Sequence, residues 1–153
     1  MNIRQATKQD SASIARLIKD LAEKFIVAEF SEKGRNQFFS SNDQSSIEQF
    51  FYSGFIYHVA EEAGEIIGVV GIRDNSHLYH LFVAESQQGN GLARRLWEYA
   101  MRLCLAAGNP GSFTVNSSNN AVGVYEAFGF KRKGGMAESN GVLYNPMSLE
   151  PNS

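Results

Sequence analysis

Within residues 77–100, HLYHLFVAESQQGNGLARRLWEYA, Gly89 and Gly91 stand one residue apart between an apolar, strand-like run and an amphipathic, helix-like one. Two readings account for this junction. In the first, the chain makes a tight strand-to-helix turn and needs glycine's freedom at positive φ. In the second, something must approach the backbone closely. The first N–H groups of a helix have no internal acceptor and carry the positive end of its dipole, so a glycine-rich entry lets a phosphate reach several donors. The neighbouring residues restrict that second reading. No Lys-Ser/Thr pair follows the glycines, which excludes a Walker loop, and Arg94 stands where a dinucleotide fingerprint would carry its third glycine.

The rest of the chain places this junction in an alternating α/β order. Residues 2–7 read as a short strand, after which Asp10 is expected to cap a helix with the apolar stripe Ile14, Leu17, Ile18 and Leu21. Residues 25–55 mix a polar, glycine-containing loop with many phenylalanines, and one helix is predicted near 45–52. Two β-rich runs, 55–62 and 65–73, are joined by the hairpin signal Ala63-Gly64. Asp74-Asn75 turns the chain into a third strand, 76–83. Residues 91–107 take helical spacing through Leu92, Leu96, Ala100, Leu103 and Ala107, ending at Gly108-Asn109-Pro110-Gly111. A strand at 112–115, a helix at 118–128, and closing strands from 131 onward and at 142–149 complete the order. No repeat or long linker interrupts it, so one domain over 1–153 is expected.

Composition agrees with one core, since 153 residues with 43% hydrophobic and 20% charged residues fit a single soluble globular domain. With 14 Lys+Arg against 16 Asp+Glu, the net charge of -2 gives no general attraction to nucleic acid or an anionic membrane. Cys104 is the only cysteine and has no partner for an internal disulfide. The first ten residues lack a signal-peptide pattern, and no apolar run approaches the roughly 20 residues of a membrane span. A cytoplasmic protein with neither nucleic acid nor membrane as partner is expected.

Two segments taken together go further. Gln88-Gly89-Asn90-Gly91-Leu92-Ala93 is followed by residues 115–131, VNSSNNAVGVYEAFGFK. The pair resembles the GNAT superfamily of N-acetyltransferases, whose pyrophosphate loop reads Gln/Arg-x-x-Gly-x-Gly/Ala and whose later segment reads Asn…Ala-x-x-x-Tyr-x-x-x-Gly-Phe. Ala121, Tyr125, Gly129 and Phe130 fill the second pattern, and the order of elements matches along nearly the whole chain, least well over 25–55. The resemblance implies an α/β (α+β) fold: a mixed, mostly antiparallel sheet, splayed where the cofactor enters, with helices on both faces. It implies acetyl-CoA as cosubstrate and no metal. Backbone groups of Leu81, Phe82 and Val83 would meet the pantetheine, and amides from Gln88 through Gly89, Asn90, Gly91, Leu92 and Ala93 the pyrophosphate. Arg94 would reach a phosphate or face solvent. Asn116, Ser118 and Asn120 would line the cofactor, unless Ser118 serves as a helix cap.

The reaction so implied moves an acetyl group from acetyl-CoA to a primary amine by direct attack in a ternary complex. The departing thiolate then needs a proton, and a phenol with pKa about 10 suits that step. Tyr125 is the candidate acid; its helical spacing with Ala121, Val124 and Phe128 also fits a packing stripe. Candidates for a base are His77 and His80, which can equally be packing residues. Three apart on a strand, they are expected on opposite faces, which argues against a metal pair. Cys104 reads as core and 131–133, Lys-Arg-Lys, as a solvated edge. The acceptor would be a small-molecule or peptide amine, and a homodimer is admitted. Two other readings stand beside this one: a non-catalytic CoA-binding or acyl-sensing module, and a protein lysine or N-terminal acetyltransferase, which a wide, acidic groove would support.

Overall fold

A computed structural model describes residues 1–151. In chain order the elements are β1 (Asn2–Gln5), α1 (Ser11–Phe25), α2 (Glu32–Ser41), α3 (Gln44–Phe50), β2 (Phe55–Glu62), β3 (Glu65–Arg73), β4 (His77–Val83), α4 (Leu92–Ala106), β5 (Phe113–Ser117), α5 (Val122–Ala127), β6 (Lys131–Arg132), β7 (Ala137–Ser139) and β8 (Val142–Leu149). The strands make one sheet in the order β1-β2-β3-β4-β5-β8-β6, with β7 attached to β8. Ala63 and Gly64 both take positive φ (52° and 80°), as a two-residue hairpin turn requires, and Asn140 and Gly141 (53° and 84°) do the same between β7 and β8. The expected mixed, mostly antiparallel sheet is present.

Its one parallel pairing is short. β4 meets β5 only at His77–Thr114 and Leu78–Val115, and beyond these pairs the two strands separate. This is the expected splay. Its origin lies on the other edge of β4, where Gly71 of β3 is opposite His80 and Ile72 opposite Leu78. Tyr79 therefore has no partner on β3 and forms a β-bulge, which bends the strand away. The bulge also shifts side-chain parity. Leu78 packs into the cluster that holds Leu96, Trp97 and Phe113 under α4, and past the bulge it is Leu81 and Val83 that join this cluster. Phe82 faces the other cluster, formed under α1 and α3 by Ile14, Ile18, Ile47, Tyr57, Val59 and Val69. Helices thus cover both faces. His77 and His80, expected on opposite faces, share the α1–α3 side because the alternation is interrupted between them.

The region 25–55 is more regular than its sequence suggests. A 3₁₀ turn at Val27–Glu29 leads into α2, whose N-cap Ser31 accepts from the Gly34 N–H (3.1 Å). Asp43 caps α3 by accepting from the Ser46 N–H (2.8 Å). Asp10, expected to cap α1, is used otherwise: its carboxylate accepts from the Thr7 N–H and from both Arg4 guanidinium nitrogens (2.9 and 3.0 Å). Nor does the Ser118 side chain cap a helix, since a 3₁₀ turn at Asn119–Ala121 precedes the shorter α5.

The polar helix α2 is held by contact rather than by an apolar stripe. Gly34 is its one buried residue, and its backbone lies against Gly141 in the β7–β8 turn. A Cβ on Gly34 would overlap the Gly141 carbonyl, and one on Gly141 would sit 2.6 Å from the Gly34 nitrogen. Backbone stands on both sides, so neither can give way easily. Gly34→Ala is expected to destabilise by roughly 1–3 kcal/mol, lowering Tm by about 2–10 °C in a calorimetric scan. An unchanged Tm would mean that α2 is not seated on this turn.

Candidate active site

Where β4 and β5 part, a cavity of about 650 Å³ enters the fold. One side is built from the expected cofactor segments. Leu81, Phe82 and Val83 line it from β4, and Gln88, Gly89, Gly91, Leu92 and Ala93 from the junction. Asn116, Ser118, Asn120, Ala121, Val124 and Tyr125 face them from β5 and α5. The opposite end is walled by the previously irregular region, through Phe25, Phe30, Phe38 and Asn42, and by Leu143 and Tyr144 of β8.

The junction behaves as a helix entrance left open. Gly89 and Gly91 have φ of 84° and 78°, and a Cβ at either would meet nothing within 4 Å. Gly91 is the N-cap of α4 and has no side chain to cap it, so the first-turn N–H groups face outward; Arg95 is the first whose N–H finds the helical acceptor, Gly91 O (3.1 Å). The edge of β4 from 79 to 82 has no strand partner on the β5 side. Unpaired strand edge, open glycines and an uncapped 15-residue helix together suit a linear ligand with amides in its arm and a phosphate at its bend.

Two expected cofactor residues are not part of the cavity lining, though Asn90 sits between Gly89 and Gly91, which are. Arg94 is exposed, donates to the Ala127 carbonyl (3.1 Å) and stacks its guanidinium over Phe128 at 5.0 Å. Asn90 does not line the cavity either, and Gln88 turns its side chain back to donate to Val83 O (3.1 Å). Beneath Ser118 and Asn120, buried Asn145 donates to Ser117 O (3.2 Å) and to Asn119 Oδ1 (2.8 Å). It fixes the path of this segment.

Tyr125 is only 7% exposed, and its hydroxyl makes no hydrogen bond within the protein although it borders the cavity. Burial holds its pKa well above that of an ordinary phenol. It is a protonated donor with no acceptor inside the protein.

The histidines differ. His80, 5% exposed, spends both ring nitrogens. Asn42 Nδ2 donates to Phe38 O (2.8 Å), which turns its Oδ1 toward His80 Nε2 at 2.6 Å. Nε2 therefore carries the hydrogen, and Nδ1 accepts from the Tyr57 hydroxyl (2.9 Å). Burial pushes the His80 pKa down to about 3. His77 shares one nitrogen, Nδ1, with Thr114 Oγ1 (2.7 Å), while Nε2 has no partner; burial, then Arg73, pushes its pKa down to about 4. Asn42, Tyr57 and Tyr144 are site residues that the sequence reading missed. No group of three or more His, Cys, Asp or Glu among the described residues is placed to hold a metal.

Both histidines are neutral when folded and ordinary when unfolded, so below pH ~6.5 the unfolded chain binds more protons. Stability is then fully present above pH ~6.5 and falls as pH drops toward 4 and 3, by up to about 1.4 kcal/mol per pH unit for each ring. Urea midpoints between pH 7.5 and 4.5 are expected to decline in that way, and His80→Gln to flatten the curve. A midpoint constant to pH 5 would contradict the buried neutral pair.

The family model for the acetyltransferase (GNAT) domain matches residues 26–151. Among solved structures, one described as a GCN5-related N-acetyltransferase, aminotransferase class-II, from Rhodopseudomonas palustris superposes with a TM-score of 0.81 at 19% identity, covering 98% of this chain and 95% of that one. The PaiA N-acetyltransferase from Thermoplasma acidophilum, solved with coenzyme A, gives 0.81 at 14% identity and 98% of both chains. An aminoglycoside 6'-N-acetyltransferase from Enterococcus faecium gives 0.71 at 13% identity, covering 100% of this chain and 99% of that one. No curated protein matches the sequence. No helix among the described residues is long and apolar enough to cross a membrane. With its splayed sheet, its open glycine junction and a family match over most of its length, the chain belongs to the GNAT acetyltransferases.

Proposed function

We propose that this protein transfers an acetyl group from acetyl-CoA to an amine by direct attack in a ternary complex. The observation that carries this reading is the Tyr125 hydroxyl, without a partner in the protein, in a residue that lines the same cavity as the open edge of β4 and the uncapped start of α4. Acetyl-CoA supplies the acyl group already activated as a thioester. The open β4 edge would pair with the pantetheine amides, and the N–H groups from Gly89 to Ala93 would bind the pyrophosphate with the helix dipole behind them. Asn116, Ser118 and Asn120 would close the opposite side. Arg94 would serve only by leaving Ala127.

Tyr125 would supply the proton that the departing sulfur needs. Its raised pKa keeps it protonated through neutral and mildly alkaline pH, and it loses no internal bond by turning to the sulfur. This placement favours a transferase over a CoA-binding module without turnover. A protein-lysine acceptor would be matched by an acidic groove, and no Asp or Glu among the described residues lines this cavity.

Calorimetry with EDTA present is expected to show acetyl-CoA binding, since every contact proposed is backbone or side chain. Gly91→Val forces a branched residue to φ 78° and fills the open space at the phosphate site, so affinity should drop at least tenfold. Wild-type affinity in a folded Gly91→Val protein would move the cradle elsewhere. Tyr125→Phe is expected to slow single-turnover thiol release by roughly 10²–10⁴-fold. Because the hydroxyl bonds nothing in the protein, Tm should change little. A parental rate in the Phe variant would remove Tyr125 from the mechanism.

A further inference from the structure

We infer that the acceptor is an aromatic amine whose nitrogen is uncharged at neutral pH, rather than an alkylammonium such as a polyamine, an aminosugar or a lysine side chain. The inference rests on the transferase reading above and deepens it. Among the described residues, no Asp, Glu, Lys or Arg lines the cavity. The end opposite the cofactor segments is walled instead by Phe25, Phe30, Phe38 and Tyr144, and Tyr79 lines the same cavity. Phe30 and Phe38 already meet edge to face at 6.3 Å, the arrangement that a further ring would extend. An alkylammonium entering this space would give up water for no counter-charge.

Nor does the site hold a group able to neutralise such a cation. An alkylammonium with pKa about 10.4 is neutral to only about one part in a few thousand at pH 7. His80 has both nitrogens committed to Tyr57 and Asn42. His77, with Arg73, Asp74 and Tyr79 as its titratable neighbours, is too weak a base to take that proton. It is well suited to a neutral amine. The lone pair of an arylamine needs no prior deprotonation, and in the tautomer whose Nδ1–H donates to Thr114 Oγ1 the free Nε2 of His77 can accept a hydrogen bond from its N–H.

The step then balances within the site. The amine nitrogen bonds to the thioester carbonyl carbon, the carbon–sulfur bond breaks, Tyr125 protonates the departing sulfur, and the proton lost by nitrogen passes through solvent, with His77 Nε2 as its hydrogen-bond acceptor, to restore the Tyr125 hydroxyl. The products are the N-aryl acetamide and the free thiol of CoA.

The test compares kcat/KM at pH 7.5 for 4-methoxyaniline, phenethylamine and spermidine, following thiol release, with acetyl-CoA affinity measured alongside. The expected result is 4-methoxyaniline ahead of phenethylamine by at least about tenfold, with spermidine not turned over. Gln37→Glu places a carboxylate in the same wall and should move the ratio several-fold toward phenethylamine while acetyl-CoA affinity holds. Acetyl-CoA binding with spermidine or phenethylamine preferred, or with no aromatic amine consumed, overturns the inference and leaves the cofactor reading standing. Failure to bind acetyl-CoA overturns both.

Discussion

One extra residue in β4 governs how the molecule is arranged. Tyr79 has no partner on β3, and the bend it causes limits contact between β4 and β5 to two residue pairs. The gap that follows is the cavity. Gly71, beside the bulge, is equally necessary, because a Cβ there would collide with the Tyr57 ring. With Tyr57 lying over Gly71, its hydroxyl reaches His80, and His80 in turn reaches Asn42 at the end of α2. The same irregularity therefore opens the sheet and ties down the helix that walls the opening.

The electrostatics of the site follow from that arrangement. Both histidines face an aromatic layer, and desolvation holds them neutral. Tyr125, buried from the other side, stays protonated. The charged side chains remain outside: Arg4 with Asp10 and Glu61, Lys24 with Glu85, Arg94 over Phe128. A neutral interior beside a helix terminus keeps the one strong field, that of the α4 dipole, directed at the junction where phosphate is proposed to bind.

How much of this was legible in the sequence varies with the kind of signal. The glycine junction, the Ala63-Gly64 hairpin and the amphipathic α4 are local patterns, and they appear where expected. α2 is not amphipathic and carries Gly34 inside it, so periodicity could not find it; its cap, Ser31, was the available cue. Asn140-Gly141, a strong turn pair, likewise marked the β7–β8 hairpin. The bulge leaves no mark in a single strand's pattern, because it is a relation between β3 and β4, and with it went the facing of His77 and His80. Tyr57 became a site residue only through His80, and Asn42 through His80 and its own place on the cavity wall, contacts across 23 and 38 positions of sequence.

The central claim is that the bulge-made gap is the acetyl-transfer site, with Tyr125 at the sulfur. The most direct measurement is a crystal structure with a non-transferable acetyl-CoA analogue. It should place the pyrophosphate on the amides of Gly89 to Ala93, the pantetheine along the open edge of β4, and the sulfur position within about 3.5 Å of the Tyr125 hydroxyl. An analogue bound outside this gap, or a Tyr125 hydroxyl turned away from the sulfur to a partner in the protein, would contradict it.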